Sequence, residues 1–272
     1  MSFRPAIPVD GLVGWAFLKR TEPRQRAAFA AAPAQQRDED YFRARIGSVR
    51  TADDLMADRR LLRVALGAFG LEGDINSRAF IRKVLTDGTL REGALSNRLA
   101  DKQYRAFSAA FGFGDFAIPR TQLSDFADGI LSSWRTRRFE AAVGEQSNTL
   151  RLALNAEREV AQLAGRRVSD ETMWFTMMGN APLREVFETA LRLPKSFGAL
   201  DLDRQLATFR ARAEAAFGSS RFDQFATPEG SADLVRRFLV VAETPVAGAA
   251  TAPGSAALAL LQSQPPLSTL RR

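Results

Sequence analysis

The side chains that could move a proton or attack a carbon are carboxylates, four lysines, hydroxyls and two tyrosines, because the 272 residues contain neither histidine nor cysteine. Imidazole is the group whose charge changes near neutral pH, and thiolate is a strong nucleophile and a soft metal ligand. Without them, zinc sites, Ser–His–Asp and Cys–His catalysis, haem attachment, disulfides and thiol redox switching lack their parts. The spacing of what remains is structural. Asp201 and Asp203 read as an N-cap and a first-turn acid that complement a helix dipole. Glu157 and Glu159 lie two apart in a helical pattern, hence on different faces. Asp74-Ile75-Asn76-Ser77 opens like a calcium loop but lacks its sixth-position glycine and closing glutamate. Gly112-Phe113-Gly114 has no third glycine and no preceding strand, so it is not a dinucleotide fingerprint. Lys83 or Lys195 could form a Schiff base only if buried, which nothing in the pattern indicates. No catalytic, cofactor-binding or metal-ligating residue is assigned, and no cofactor is expected.

Two clusters suit contact with other macromolecules. Met173-Trp174-Phe175-Thr176-Met177-Met178 places three of the five methionines beside two large aromatics. Such adaptable apolar surface fits a protein-binding groove, and the same pattern fits a buried helix, the commoner case. Trp134-Arg135-Thr136-Arg137-Arg138 is the tightest basic cluster. The candidate interaction residues are therefore Met173, Trp174, Phe175, Met177 and Met178, with Trp134, Arg135, Arg137 and Arg138. Phe3, Trp15 and Phe17 face the same choice between packing inward and meeting a partner. The net charge of +7 is spread thinly along the chain, and arginine supplies nearly all of it. No nucleic-acid motif accompanies it, so binding to nucleic acid is not favoured.

The elements that must position these groups are helices. Ala, Leu, Arg and Glu dominate while Ile, Thr and Tyr are scarce. A first helix is predicted from Gly11 to Lys19, with Thr21 capping a second and Pro23 in its first turn. Pro33 opens a helix to about Ile46, and Thr51-Ala52-Asp53-Asp54 forms a capping box. Asp58 caps Arg59 to Phe69, which Gly70 stops; Ser77 opens Arg78 to Leu85; Asp101 caps Lys102 to Phe111, which Gly112 stops. Ala-Phe-Gly recurs at 68–70, 110–112 and 216–218 and reads as a shared stop signal more readily than as a repeat. Thr121 to Ala164 is expected to be one long or gently kinked helix, with a hairpin turning near Gln146-Ser147-Asn148 as the alternative. Further helices are expected over 169–178, 182–193, 201–217 and 227–241, and no strand is placed.

Several stretches together carry a family likeness. They are Ala57–Leu71, Phe80–Leu85, Asn97–Tyr104, Ala109–Phe113, Phe187–Leu191 and Leu193–Gln205. On these the chain resembles the bacterial domain-of-unknown-function family numbered twelve-seventeen, over about residues 10–241. The resemblance implies an all-helical protein, and a flagellar setting, since members are frequently encoded among flagellar genes. It carries no catalytic residues.

The expected architecture is thus all-α and multihelical: a single domain over 1–242, with sub-lobes 1–119 and 169–242 joined by helical 120–168. Residues 243–272, interrupted by prolines, form a disordered or loosely docked tail. The expected function is that of a non-catalytic accessory or structural protein of flagellar assembly or motility, with protein partners among flagellar components. The alternatives are an enzyme using carboxylate, lysine or arginine chemistry in a helical cleft, and an arginine-mediated binder of nucleic acid or anionic surfaces. No stretch is long and apolar enough to span a membrane. Prolines and an acid in the first ten residues argue against a Sec signal, so a cytoplasmic location is expected, with flagellar export as the alternative.

Overall fold

The computed structural model describes residues 3–244 and is all-α, with no strand among the described residues. Thirteen α-helices follow one another: α1 (Gly11–Ala30), α2 (Pro33–Ile46), α3 (Ala52–Ala57), α4 (Arg59–Phe69), α5 (Arg78–Asp87), α6 (Leu95–Arg98), α7 (Gln103–Phe111), α8 (Phe126–Gly144), α9 (Asn148–Ala164), α10 (Asp170–Met178), α11 (Ala181–Ala190), α12 (Leu202–Phe217) and α13 (Pro228–Glu243). None of them is long and apolar enough to cross a membrane. The tail beyond Thr244 lies outside the described residues.

Side-chain caps fix most of the starts. Thr51 and Asp54 close a reciprocal capping box on α3, and Asp58 Oδ1 accepts the N–H groups of Arg60 and Leu61 to open α4. Ser169, Asn180, Asp201 and Thr227 cap α10 to α13 in the same way. Ser77 precedes α5 without making a side-chain cap. The three Ala-Phe-Gly sequences end α4, α7 and α12, each with its glycine in the left-handed region.

Two expectations are corrected. Pro23 does not start a new helix but sits inside α1, which runs unbroken from Gly11 to Ala30. A proline there forfeits one i−4 bond. The face bearing Leu18, Gln25 and Phe29 stays buried on both sides of it, and the Thr21 hydroxyl turns back to donate to Phe17 O at 2.9 Å. The second correction concerns 121–164, which is a helical hairpin and not one long helix. α8 ends at Gly144, and α9 begins after Ser147, whose extended backbone and side-chain bond to Leu150 N (3.0 Å) restart the helix. The Ser147 hydroxyl also donates to Asp10 Oδ1 at 2.7 Å, pinning the turn to the start of α1.

Buried apolar residues gather in two clusters. One joins α2 to α5 and α7 with the first half of α8, from Phe126 to Trp134. The other joins α9 to α13 with the second half of α8, at Phe139 and Val143. α8 therefore contributes to both. α1 packs with α13 and α9, so Leu18 and Phe29 belong to the C-terminal cluster and not to that of the helices directly after them. At the far end of this arrangement, the Glu243 carboxylate occupies the place where a Cβ on Gly11 would stand, and Gly11 adopts φ +68°. No side chain fits there.

Candidate functional site

The hairpin brings together charges that are distant in sequence. On α9, Arg158 grips the Glu140 carboxylate of α8 with two bonds, Nε to Oε1 and Nη2 to Oε2, both 2.8 Å. Its third nitrogen reaches Glu159 Oε1, which also accepts Arg137 Nη2 at 2.9 Å. Glu140 is 5 % exposed, and the other three are largely covered. Burial alone would make the Arg158 guanidinium easier to deprotonate, but Glu140 and Glu159 more than offset it and raise its proton affinity. Arg137 goes the other way: burial, and then the charge of Arg158 beside it, outweigh its bond to Glu159.

Arg137, Arg158 and Glu159 line a cleft of about 330 Å³ at the seam between the two apolar clusters, with Glu140 behind them. The end of α4 and the start of α7 also line it, through Ala68, Phe69, Lys102 and Ala106. Asp101, just before α7, accepts Gln103 N at 2.8 Å, and burial pushes its carboxyl up from the ordinary range against that bond. Lys102 Nζ is spent on two backbone carbonyls, those of Asn97 and Leu99. Gly70 ends α4 in the left-handed conformation, at φ +75°. A Cβ there would lie 2.8 Å from Arg137 Nη1 and 2.9 Å from Gln103 Oε1, so the missing side chain makes room for both groups. Gln103 Oε1 is buried without a donor. Nearby, the Tyr104 hydroxyl donates to Asp74 Oδ2 at 2.6 Å, and burial with that bond raises the phenol well above its usual range. Among the described residues, no three acidic side chains converge as a metal site would require.

The residues picked from sequence are placed as follows. Trp174 is fully buried, its indole N–H donating to Ser220 O at 3.2 Å and its ring packed by Phe187, Phe209 and Phe222. Met173, Met177 and Met178 are buried in the same cluster, and Phe175 is half-buried against it. The apolar side chains of this segment are core, because α10 is covered by α9, α11 and the turn of Phe222–Ala226, and only Thr176 of the segment lines the cleft. Trp134 is buried in the other cluster. The three arginines that follow it diverge around α8: Arg135 Nε bonds Glu39 at 2.7 Å, Arg137 turns to Glu159, and Arg138 faces Glu72 at 3.7 Å. Each meets its own carboxylate, so they make no common basic face. Glu157 pairs with Lys19 on the side away from Glu159, as the two-residue spacing requires. Asp201 caps α12 through Arg204 N, and Asp203 sits in its first turn. Near the N-terminus, Phe3 packs edge-on against Phe29, and Trp15 lies half-buried against the same core.

Sequence reading missed the cleft. Of its lining, Thr136, Arg137 and Thr176 belong to the two clusters read as interaction surfaces, Asp101 is read as a cap and Glu159 as one face of a helix, and nothing in those readings joins them. The signal that could have found it is the alternation of acids and arginines at 137, 140, 158 and 159, which becomes a network only if the chain turns between them.

A family model described as "protein of unknown function (DUF1217)" matches residues 68–230. The chain belongs to that family. Every side chain lining the cleft falls within the matched residues. The X-ray structure of protein AGR_C_984 from Agrobacterium tumefaciens is similar, with 26% sequence identity and a TM-score of 0.71. The similarity covers 89% of this chain and 98% of that one. No match was found among curated proteins.

Proposed function

We propose that this protein is a non-catalytic accessory or structural component of flagellar assembly or motility, working through protein–protein contact. The flagellar setting rests on the family resemblance and its gene context, an associational argument. Contact as the mode of action rests on one observation, large apolar side chains held in the open on two tied loops. Asp115 accepts Thr89 N at 2.6 Å and Leu90 N at 2.9 Å, and the Thr89 hydroxyl at 2.7 Å, tying the loop after α5 to the loop after α7. Leu90 (70 % exposed), Phe116 (43 %) and Ile118 (74 %) are thereby displayed on two loops joined at one point. Exposed apolar side chains grouped in this way suit a partner surface. Catalysis has less to draw on, since Glu140 and Glu159 are committed to arginines, and Glu159 is the acid that shares the cleft lining with Asp101.

The test is affinity capture of a tagged copy from motile cells, together with swimming assays on a deletion strain. Flagellar components are expected to co-purify with the wild type and to be lost with Ile118→Glu, whose stability should stay within about 0.5 kcal/mol because the site is exposed. Fractionation of cytoplasm against purified basal bodies and filaments would place the protein. Normal swimming in the deletion strain, with no flagellar component enriched, would discard the proposal.

A further inference from the structure

We propose that the cleft between α4, α7, α8 and α9 binds a small ligand bearing an oxyanion group, a carboxylate or a phosphate, held by Arg137 and Arg166. This goes beyond the contact role above, and its failure would leave that role standing.

The first support is unspent hydrogen-bonding capacity. Arginine carries five N–H donors in a fixed fork that matches carboxylate and phosphate. Arg158 commits all three of its nitrogens to Glu140 and Glu159, whereas Arg137 gives a single bond, to Glu159. The Arg137 side chain is only 18 % exposed, and it lines the cleft. A guanidinium so covered, with donors left over, has few places to find acceptors except in whatever fills that space. Arg166, just past the end of α9, lines the same cleft and makes neither an ion pair nor a side-chain hydrogen bond among the described residues.

The second support is charge. Lys102, Arg137, Arg158 and Arg166 line the cleft against Asp101 and Glu159, with Glu140 behind them. One positive charge remains uncompensated in a partly dehydrated space, where it attracts an anion more strongly than at an open surface. Ser132 and Ser133 also line the cleft, and their hydroxyls have no partner among the described residues, so they can donate to further ligand oxygens. Ala68, Phe69 and Ala106 give an apolar wall for a carbon body. A volume of about 330 Å³ sits at the small end of known ligand clefts, which suits a metabolite-sized anion and not a folded peptide segment.

The experiment is isothermal titration of the full chain with two probes, citrate and pyrophosphate, at low and raised salt. Saturable one-to-one binding of at least one probe is expected. Preference for citrate assigns a carboxylate ligand, and preference for pyrophosphate a phosphate. Affinity should fall about tenfold in Arg137→Gln, and about threefold in Arg166→Gln, where the cation is more exposed. Arg204→Gln, remote on α12, should bind like the wild type. If Arg137→Gln fails to fold, Arg166→Gln and Ser133→Val decide, both on exposed positions. Absence of saturable binding by either probe would overturn the proposal, as would equal affinities in Arg166→Gln and Arg204→Gln.

Discussion

Replacing Arg158 by methionine should be among the most damaging single changes outside the aromatic core. Arg158 makes three bonds to two carboxylates. Without it, Glu159 keeps Arg137, but Glu140 loses both of its bonds while remaining 5 % exposed. A charge stranded in that way costs about 3–5 kcal/mol, against a total stability of roughly 5–15 kcal/mol for a domain. Restoring neutrality should recover most of the loss: Arg158→Met with Glu140→Met replaces a buried pair by apolar groups, a change that is often neutral or favourable. The double variant should therefore lie within about 1–2 kcal/mol of the wild type. Urea unfolding at neutral pH, followed by tryptophan fluorescence, measures all three proteins. Trp134 and Trp174 report from different apolar clusters, so coincident transitions would also establish that one free energy describes the molecule. A loss below about 1 kcal/mol in Arg158→Met, the range of exposed pairs, would refute the reasoning. So would a double variant no more stable than the single one.

Gly70→Ala should destabilise by more than about 1 kcal/mol, because the left-handed conformation and the approach of Arg137 Nη1 both oppose a methyl group there; it should also weaken any anion binding in the cleft, and thermal unfolding with citrate titration reads both effects. Asp58→Ala removes the cap of α4 and should cost about 1–2 kcal/mol at neutral pH by chemical denaturation. Burial works against the Asp58 carboxylate, but the Tyr41 hydroxyl and the N–H groups of Leu61 and Arg60 hold its titration below the unfolded value of 3.8. The cap's contribution is therefore present above that value and disappears as pH falls through the lower native one, so wild type and variant should converge in acid. A gap that is constant down to strongly acidic pH would contradict this.

Local chemistry was legible in the sequence and tertiary pairing was not. Thr51–Asp54, Asp58 and Gly70 announce helix ends because a cap acts within four residues of itself, and the structure uses each as expected. Pro23 misled because it marks a helix start only when the preceding turn has nothing to lose, and here that turn carries the buried Leu18. The 121–164 stretch misled for a different reason. Gly144 and Ser147 are weak breaks, and what decides between a rod and a hairpin is burial on partners far along the chain. The consequence for the cleft was complete. Glu140 and Arg158 are 18 residues apart, about 27 Å along a continuous helix, and only the turn places them in contact. The methionine-rich segment shows the limit from the opposite side, since an apolar helix reads the same whether it faces a partner or its own core.

The meeting of Gly11 with Glu243 has a topological consequence. The start of α1 and the end of α13 lie side by side, so a peptide of a few residues could join them into a closed ring at small entropic cost, in place of residues 3–10 and their bonds to Gln25 and Ser147. New ends could then be opened at Gly73, where the backbone borders empty space. Such a circular permutant should fold with the native helix content, at lower stability for the loss of Asp10 against Ser147 and Phe3 against Phe29. In the natural order of the chain, by contrast, residues 3–10 double back along α1 and set Phe3 against Phe29 near its other end, so the stretch ahead of α1 leads away from the pole where α13 finishes.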